Sequence, residues 1–293
     1  MIIGAKVPNS GVYPSELGIG TMAKLLEDAG FESLWVSDHI VMPHQTSSRY
    51  PFSEDGRPNW PMTEPYYDAI VALSVMAAAT QKAKLGTAVM VIPLRNPVML
   101  AKQVASIDVI SGGRMVFGVG SGWLEEEFKA LYADFKNRGK VLKEWINILR
   151  LCWQGNVEEF RGEFYAIQQG IYCLPTPVHP IDILIGGHSM SAYRHVVRHG
   201  NGWLAHQSAR NLDTDALESG VEAIKRLALE AGKDPGQYRM VLRIIESATR
   251  VDDVRLKLKD IKKAGIEEII VDVDWEHPET LHDTYTALKE VAE

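Results

Sequence analysis

A chain of 293 residues, 46% of them hydrophobic, can bury a large core and lies within the span of one α/β barrel, so residues 1–293 are read as a single domain. Its net charge of -7 and pI near 5.8, with basic residues scattered along the chain, argue against nucleic acid as a partner. The N-terminus "MIIGAKVPNSG" lacks the pattern of a signal peptide, and the longest apolar run, 69–79, is too short to span a bilayer; a soluble, cytoplasmic protein away from membranes is expected, with Cys152 and Cys173 as reduced thiols in no metal-binding pattern.

From end to end, short β-rich runs alternate with helical periodicity, which predicts βα units around a parallel sheet. The predicted strands are "IIGAKV" from Ile2, "SLWVS" from Ser33, "KLGTAVMVI" from Lys84, "MVFGVG" from Met115, "DILIGG" from Asp182, "GWLAH" from Gly202, "MVLRIIES" from Met240 and "EIIVDV" from Glu268. Such a series fits a (β/α)8 TIM barrel better than an open sheet. Met22, Leu25, Leu26 and Ala29 recur at helical spacing before Gly30, and Leu256, Leu258, Ile261 and Ala264 do so before Gly265. Two stretches exceed the minimal repeat. Residues 38–67, rich in proline, are expected to wall or cover the catalytic face, and residues 154–181, with a turn at Gly170, read as a small hairpin inserted before strand five.

In a barrel, chemistry belongs at the C-terminal strand ends. Those ends are Ser37, Asp38 and His39 on strand two, "AVMVIP" on strand three, "GVGSGW" on strand four, Gly186, Gly187 and His188 on strand five, and Asp272 and Asp274 on strand eight. The Gly118-Val119-Gly120 core looks like the start of a dinucleotide fingerprint, but Trp123 stands where its third glycine is required. At a barrel mouth the same glycines would let a flat ring and a phosphate approach the backbone. No histidine pair follows strand one, which argues against a metal-dependent hydrolase, and His195 and His199 flank Val196 where a metalloprotease helix needs glutamate. A Schiff-base barrel needs an inward lysine, for which Lys6 is the only candidate. One histidine, glycine-lined positions and apolar surface suit an organic cofactor. Asp38 could equally brace a loop, and His39 could be a satisfied polar residue at the rim. Arg95 reads as shaping a loop, Arg114 as either bracing a turn or pairing with a neighbouring acid, and Glu125, Glu126 and Glu127 as helix-start acids.

The stretches "GFESLWVSDHIVMP" (30–43), "LGTAVMVIPLRNPVMLAKQVASIDVISGGRMVFGVGSGWLEEEF" (85–128) and "ILIGGHS" (183–189) resemble the luciferase-like monooxygenase superfamily of flavin and deazaflavin TIM-barrel oxidoreductases, and most of all its oxidoreductases dependent on coenzyme F420. The resemblance implies that His39 faces the reactive side of the cofactor ring and handles a proton or stabilises an intermediate, with Asp38 contacting the ring. It implies a non-prolyl cis peptide at Ala88-Val89, before Met90, backing the ring, and a phosphate-receiving loop at Gly186, Gly187 and His188. Ser121 matches a position where bacterial luciferase has an arginine near that phosphate. Trp123 matches a position where F420-dependent glucose-6-phosphate dehydrogenases place a catalytic glutamate, so that activity is not expected; Trp60, Tyr66 and Trp123 would wall a substrate pocket. The implied reaction is F420-dependent hydride transfer to or from a small organic substrate. The alternatives are FMN-dependent monooxygenation with O2, in which a separate reductase could supply reduced cofactor, and a barrel that binds flavin without catalysis. Barrels of this kind commonly pair through outer helices, so a homodimer is expected.

Overall fold

Eight parallel strands close on themselves in the computed structural model, which describes every residue except 52, 54 and 59. They are β1 (Ile2–Lys6), β2 (Ser33–Val36), β3 (Lys84–Thr87), β4 (Met115–Gly120), β5 (Asp182–Gly186), β6 (Gly202–Ser208), β7 (Arg239–Ile245) and β8 (Glu268–Val271). Each pairs with its neighbours in chain order; β8 returns to β1 and β4 to β5, which makes the cylinder. The outer helices are α1 (Ile19–Ala29), α2 (Ala69–Ala79), α3 (Pro97–Ser111), α4 (Arg138–Cys152), α5 (Met190–His199), α6 (Thr214–Glu230), α7 (Val251–Lys263) and α8 (Leu281–Ala292). Among the described residues no helix is long and apolar enough to cross a membrane.

Local chemistry sets the boundaries. Asp68, Asn96, Ser189 and Asp213 each accept a backbone N–H at the start of α2, α3, α5 and α6, and Gly30 ends α1 at φ 113°, which an L side chain disfavours. In each of two predicted stripes one residue faces solvent instead: Leu25 is 38% exposed and Leu256 80% exposed, while α1 buries Met22, Ala23 and Leu26 and α7 buries Val254, Leu258 and Ile261. The predicted third strand is also interrupted: β3 stops at Thr87, a cis peptide links Ala88 to Val89, and Met90–Val91 resumes pairing with Val119 and Gly120. The 154–181 insertion holds two nested antiparallel pairs, Asn156–Val157 with Ile171–Tyr172 and Phe160–Arg161 with Ala166–Ile167.

The register stacks inward side chains in layers, as a filled barrel requires. At the base, Arg239 bridges Asp182 (2.7 Å) and Glu268 (2.9 Å), and Ser33 joins Glu268 to Trp35. The middle layer is dry: Trp35, Val116, Leu184, Leu204, Val241 and Ile270, with Ala88 and Val89 lying on it. Lys6 follows Trp35's register, and His206 and Arg243 sit side by side one step above Leu204 and Val241. These polar residues form part of the mouth.

Candidate active site in the barrel mouth

The end of β2 is clamped before its functional residues begin. Fully buried Asn9 accepts the Ser37 N–H (3.1 Å) and donates to the carbonyls of Ser37 (2.8 Å) and Tyr67 (2.9 Å), tying the strand end to the returning 38–67 segment. His39, 8% exposed, follows in a cage of aromatic rings: Tyr66 at 5.4 Å, Trp123 at 6.0 Å and Trp60 at 6.2 Å between centroids. Tyr50, which the sequence did not single out, packs on Trp60 (5.1 Å) and Trp123 (5.2 Å); burial pushes its hydroxyl up to about 12. The structure thus brings the three expected wall residues together around the histidine.

Behind the ring lies an acid that was read as a helix-start residue. Glu127 Oε2 is 3.0 Å from His39 Nδ1, and Oε1 accepts the N–H groups of Ile40 (2.5 Å) and Val41 (3.2 Å). A carboxylate only accepts, so Nδ1 carries a proton toward Glu127 and Nε2 is the nitrogen left to exchange one with a substrate. A signal for Glu127 was present. Leu124, Glu127, Phe128 and Leu131 recur at 3.6-type spacing, which puts an acid on an apolar stripe. Glu126 also differs from its reading, since it accepts from Ser47 N (2.7 Å) and from the Ser48 hydroxyl (2.7 Å) of the covering segment. Desolvation would raise its carboxyl, but the hydrogen bonds from Ser48 and Ser47 outweigh that and hold it at about 2.

Asp38 turns to a brace. Arg95 grips both its oxygens (2.7 and 2.8 Å), the Val91 N–H adds a third bond (2.9 Å), and Arg95 reaches on to Asp68 (3.0 Å), the cap of α2. Burial raises the Asp38 carboxyl, against the pull of Arg95 and Val91. Arg114 is likewise a structural brace, bonded to the carbonyls of Ser111, Ala83, Ala77 and Thr80.

The floor is apolar. Ala88 and Val89 are half-buried against the dry layer, whereas Met90, expected beside them, is fully buried in the core and pairs with Val119. A Cβ on Gly120 would lie 2.7 Å from Val89 Cγ2 and one on Gly186 3.0 Å from Val89 Cγ1, so these glycines make room for the bulge itself. Half-buried Ser121 follows Gly120. Beyond Gly186, Gly187 at φ 118° accepts Trp203 Nε1 (2.8 Å), His188 Nε2 accepts the His206 N–H (3.0 Å), and Ser189 caps α5. Burial lowers the His188 imidazole. A flat apolar platform, a helix N-terminus beside it and the buried Trp60 Nε1, which has no hydrogen-bond partner among the described residues, fit a planar group with acceptor atoms on its edge.

The mouth of a closed (β/α)8 barrel thus holds both an acid-held imidazole and an apolar platform. Residues 13–271 match the family described as luciferase-like monooxygenase, and the chain belongs to that family. An uncharacterised protein of Mycobacterium tuberculosis is 33% identical over 251 residues, covering 85% of this chain and 83% of that one. The F420-dependent glucose-6-phosphate dehydrogenase of Gordonia bronchialis is 28% identical over 266 residues, covering 89% of this chain and 72% of the relative. Among solved structures, an F420-dependent secondary alcohol dehydrogenase in complex with an F420-acetone adduct superposes with a TM-score of 0.79 at 15% identity, covering 100% of this chain and 99% of that one.

Proposed function

We propose that this protein is an F420-dependent oxidoreductase that exchanges a hydride with a small organic substrate while His39 moves the accompanying proton. The observation that carries this reading is the bond between Glu127 and His39 Nδ1, which leaves Nε2 as the proton-handling atom. The naming of the Gordonia relative supports F420 over FMN.

Ala88 and Val89, with buried Met90 behind them, would support the cofactor ring, Asp38 would hold the strand end beside it, and Ser121, Gly186, Gly187 and His188 would receive its phosphate. A bound deazaflavin supplies a carbon in place of flavin N5, and so a two-electron hydride acceptor or donor with little use for oxygen. For oxidation of an alcohol, His39 Nε2 takes the hydroxyl proton; for reduction of a carbonyl, it returns one. Glu127 stabilises the imidazolium formed in either direction. Trp60, Tyr66 and Trp123 keep water from the imidazole and provide an apolar wall for the substrate.

Titration of the purified protein with F420 and with FMN, each oxidised and reduced, tests the reading. Binding of F420 alone is expected; binding of FMN alone, or of neither, overturns it. With F420 bound, His39→Ala should lower turnover by roughly 10²- to 10⁴-fold at unchanged cofactor affinity.

A further inference from the structure

Across the mouth from the Ala88-Val89 platform, the inward residues change from apolar to charged. Lys6 ends β1, Arg243 and His206 are register partners on β7 and β6, and Asp272 follows β8. Arg243 is 4% exposed, bonded to Asp272 and to the carbonyls of Ile244 (2.6 Å) and Ile270 (3.2 Å). Lys6 makes no hydrogen bond or ion pair with any described residue. Burial and then Arg243 push its amine down to about 8, against the pull of Asp272 and Glu64. Burial, with Arg243, also holds His206 at about 3, so its ring is neutral. Glu246, at the end of β7, is engaged by Arg210 (3.2 Å) and Ser208 (2.6 Å).

Two cations, Lys6 and Arg243, thus share the mouth with two carboxylates, Asp272, which Arg243 holds, and Glu64, whose charge acts on Lys6 without a bond to it. Lys6 is the cation with no bonded counter-charge among the described residues, and an ammonium out of water is stabilised by an anion that bonds it directly. Tyr50 relates this group of charges to the chemistry: its ring packs on Trp60 and Trp123, which flank His39, and the charges of Arg243, Glu246 and Asp272 act on its hydroxyl.

We propose that Lys6 and Arg243 form an oxyanion subsite, so that the substrate is a small alcohol or carbonyl compound carrying a carboxylate or phosphate at the end remote from the reacting carbon. The reacting end rests on the function proposed above; the subsite is measured separately. Arg243 cannot be removed cleanly, because Asp272 would be stranded, whereas Lys6→Met breaks no hydrogen bond.

The test is titration of the purified protein with inorganic phosphate and, separately, with acetate, following tryptophan fluorescence and the thermal midpoint, with and without F420. At least one anion should bind the wild type, and its Kd should rise roughly tenfold or more in Lys6→Met, the loss expected for one charge-assisted hydrogen bond. The tighter of the two anions distinguishes a phosphorylated from a carboxylated substrate. Failure of both anions to bind, or equal affinity in wild type and Lys6→Met, which is what binding at the Gly187-His188 loop would give, overturns the subsite. Anion binding that depends on Lys6 in a protein that ignores F420 would overturn the proposed cofactor and leave the subsite standing.

Discussion

Glu127 holds His39 from a helix 88 residues further along the chain, with one oxygen on Nδ1 at 3.0 Å and the other on the backbone of Ile40 and Val41. This carboxylate fixes the ring's tautomer and its orientation together. In Glu127→Gln the amide can keep part of the geometry but not the charge, so turnover should fall roughly tenfold to a hundredfold, as when other groups that orient a functional histidine from behind are lost. Because the imidazolium formed during turnover loses its counter-charge, kcat should fall more than KM rises. A change in protein yield or stability with unchanged kcat would contradict the role.

Arg95 is predicted to matter for stability more than for chemistry. Its side chain and that of Asp38 are 10% and 0% exposed, so removing the guanidinium strands a buried carboxylate. Arg95→Ala should cost about 3–5 kcal/mol in urea unfolding, and Arg95→Lys less, since it keeps the charge but loses the two-pronged grip. A loss of under about 1 kcal/mol for Arg95→Ala, the value of an exposed pair, would contradict the burial argument.

His206 gives a pH dependence with a definite sign. Its folded-state value, about 3, lies below the ordinary 6.5, so the unfolded chain binds the proton more readily between those limits. The stability that neutral His206 contributes is complete above pH 6.5 and is lost progressively as pH falls toward 3. The difference in thermal midpoint between wild type and His206→Gln should shift against the wild type over that window. A constant difference would show that the ring is not held neutral.

The resemblance sets Trp123 where F420-dependent glucose-6-phosphate dehydrogenases place a catalytic glutamate. Under the proposed function, glucose 6-phosphate should therefore give no F420 reduction above background. For the protein's own substrate, Trp123→Ala should raise KM more than it lowers kcat, since it removes a wall and leaves His39 and Glu127 in place. Turnover of glucose 6-phosphate at the rate of the authentic substrate would contradict this reading.

The barrel was legible because its strands are short apolar runs between helical stripes, and because strand ends can be located without knowing side-chain positions. His39 was legible for the same reason, as the histidine at the mouth on strand two. Glu127 was hidden by its neighbours: in a run of three acids, local sequence favours the helix dipole, and only the apolar stripe through Leu124, Phe128 and Leu131 marks one of them as inward. Asp38 shows the opposite limit. Its place was readable, but its direction depends on Arg95, which lies 57 residues away and arrives only through the fold. Lys6 was noticed as an inward lysine, and its company with Arg243 and Asp272 appears only when β1, β7 and β8 are brought side by side.

The central claim is that a planar redox ring rests on the Ala88-Val89 platform beneath His39. The most direct measurement is a crystal structure of the protein with F420. It should show one face of the ring against the Ala88-Val89 backbone, His39 Nε2 on the opposite side, and the phosphate at Gly186–His188. A ring bound elsewhere, or one lying in the mouth with His39 still enclosed and unreachable behind Trp60, Tyr66 and Trp123, would contradict the account.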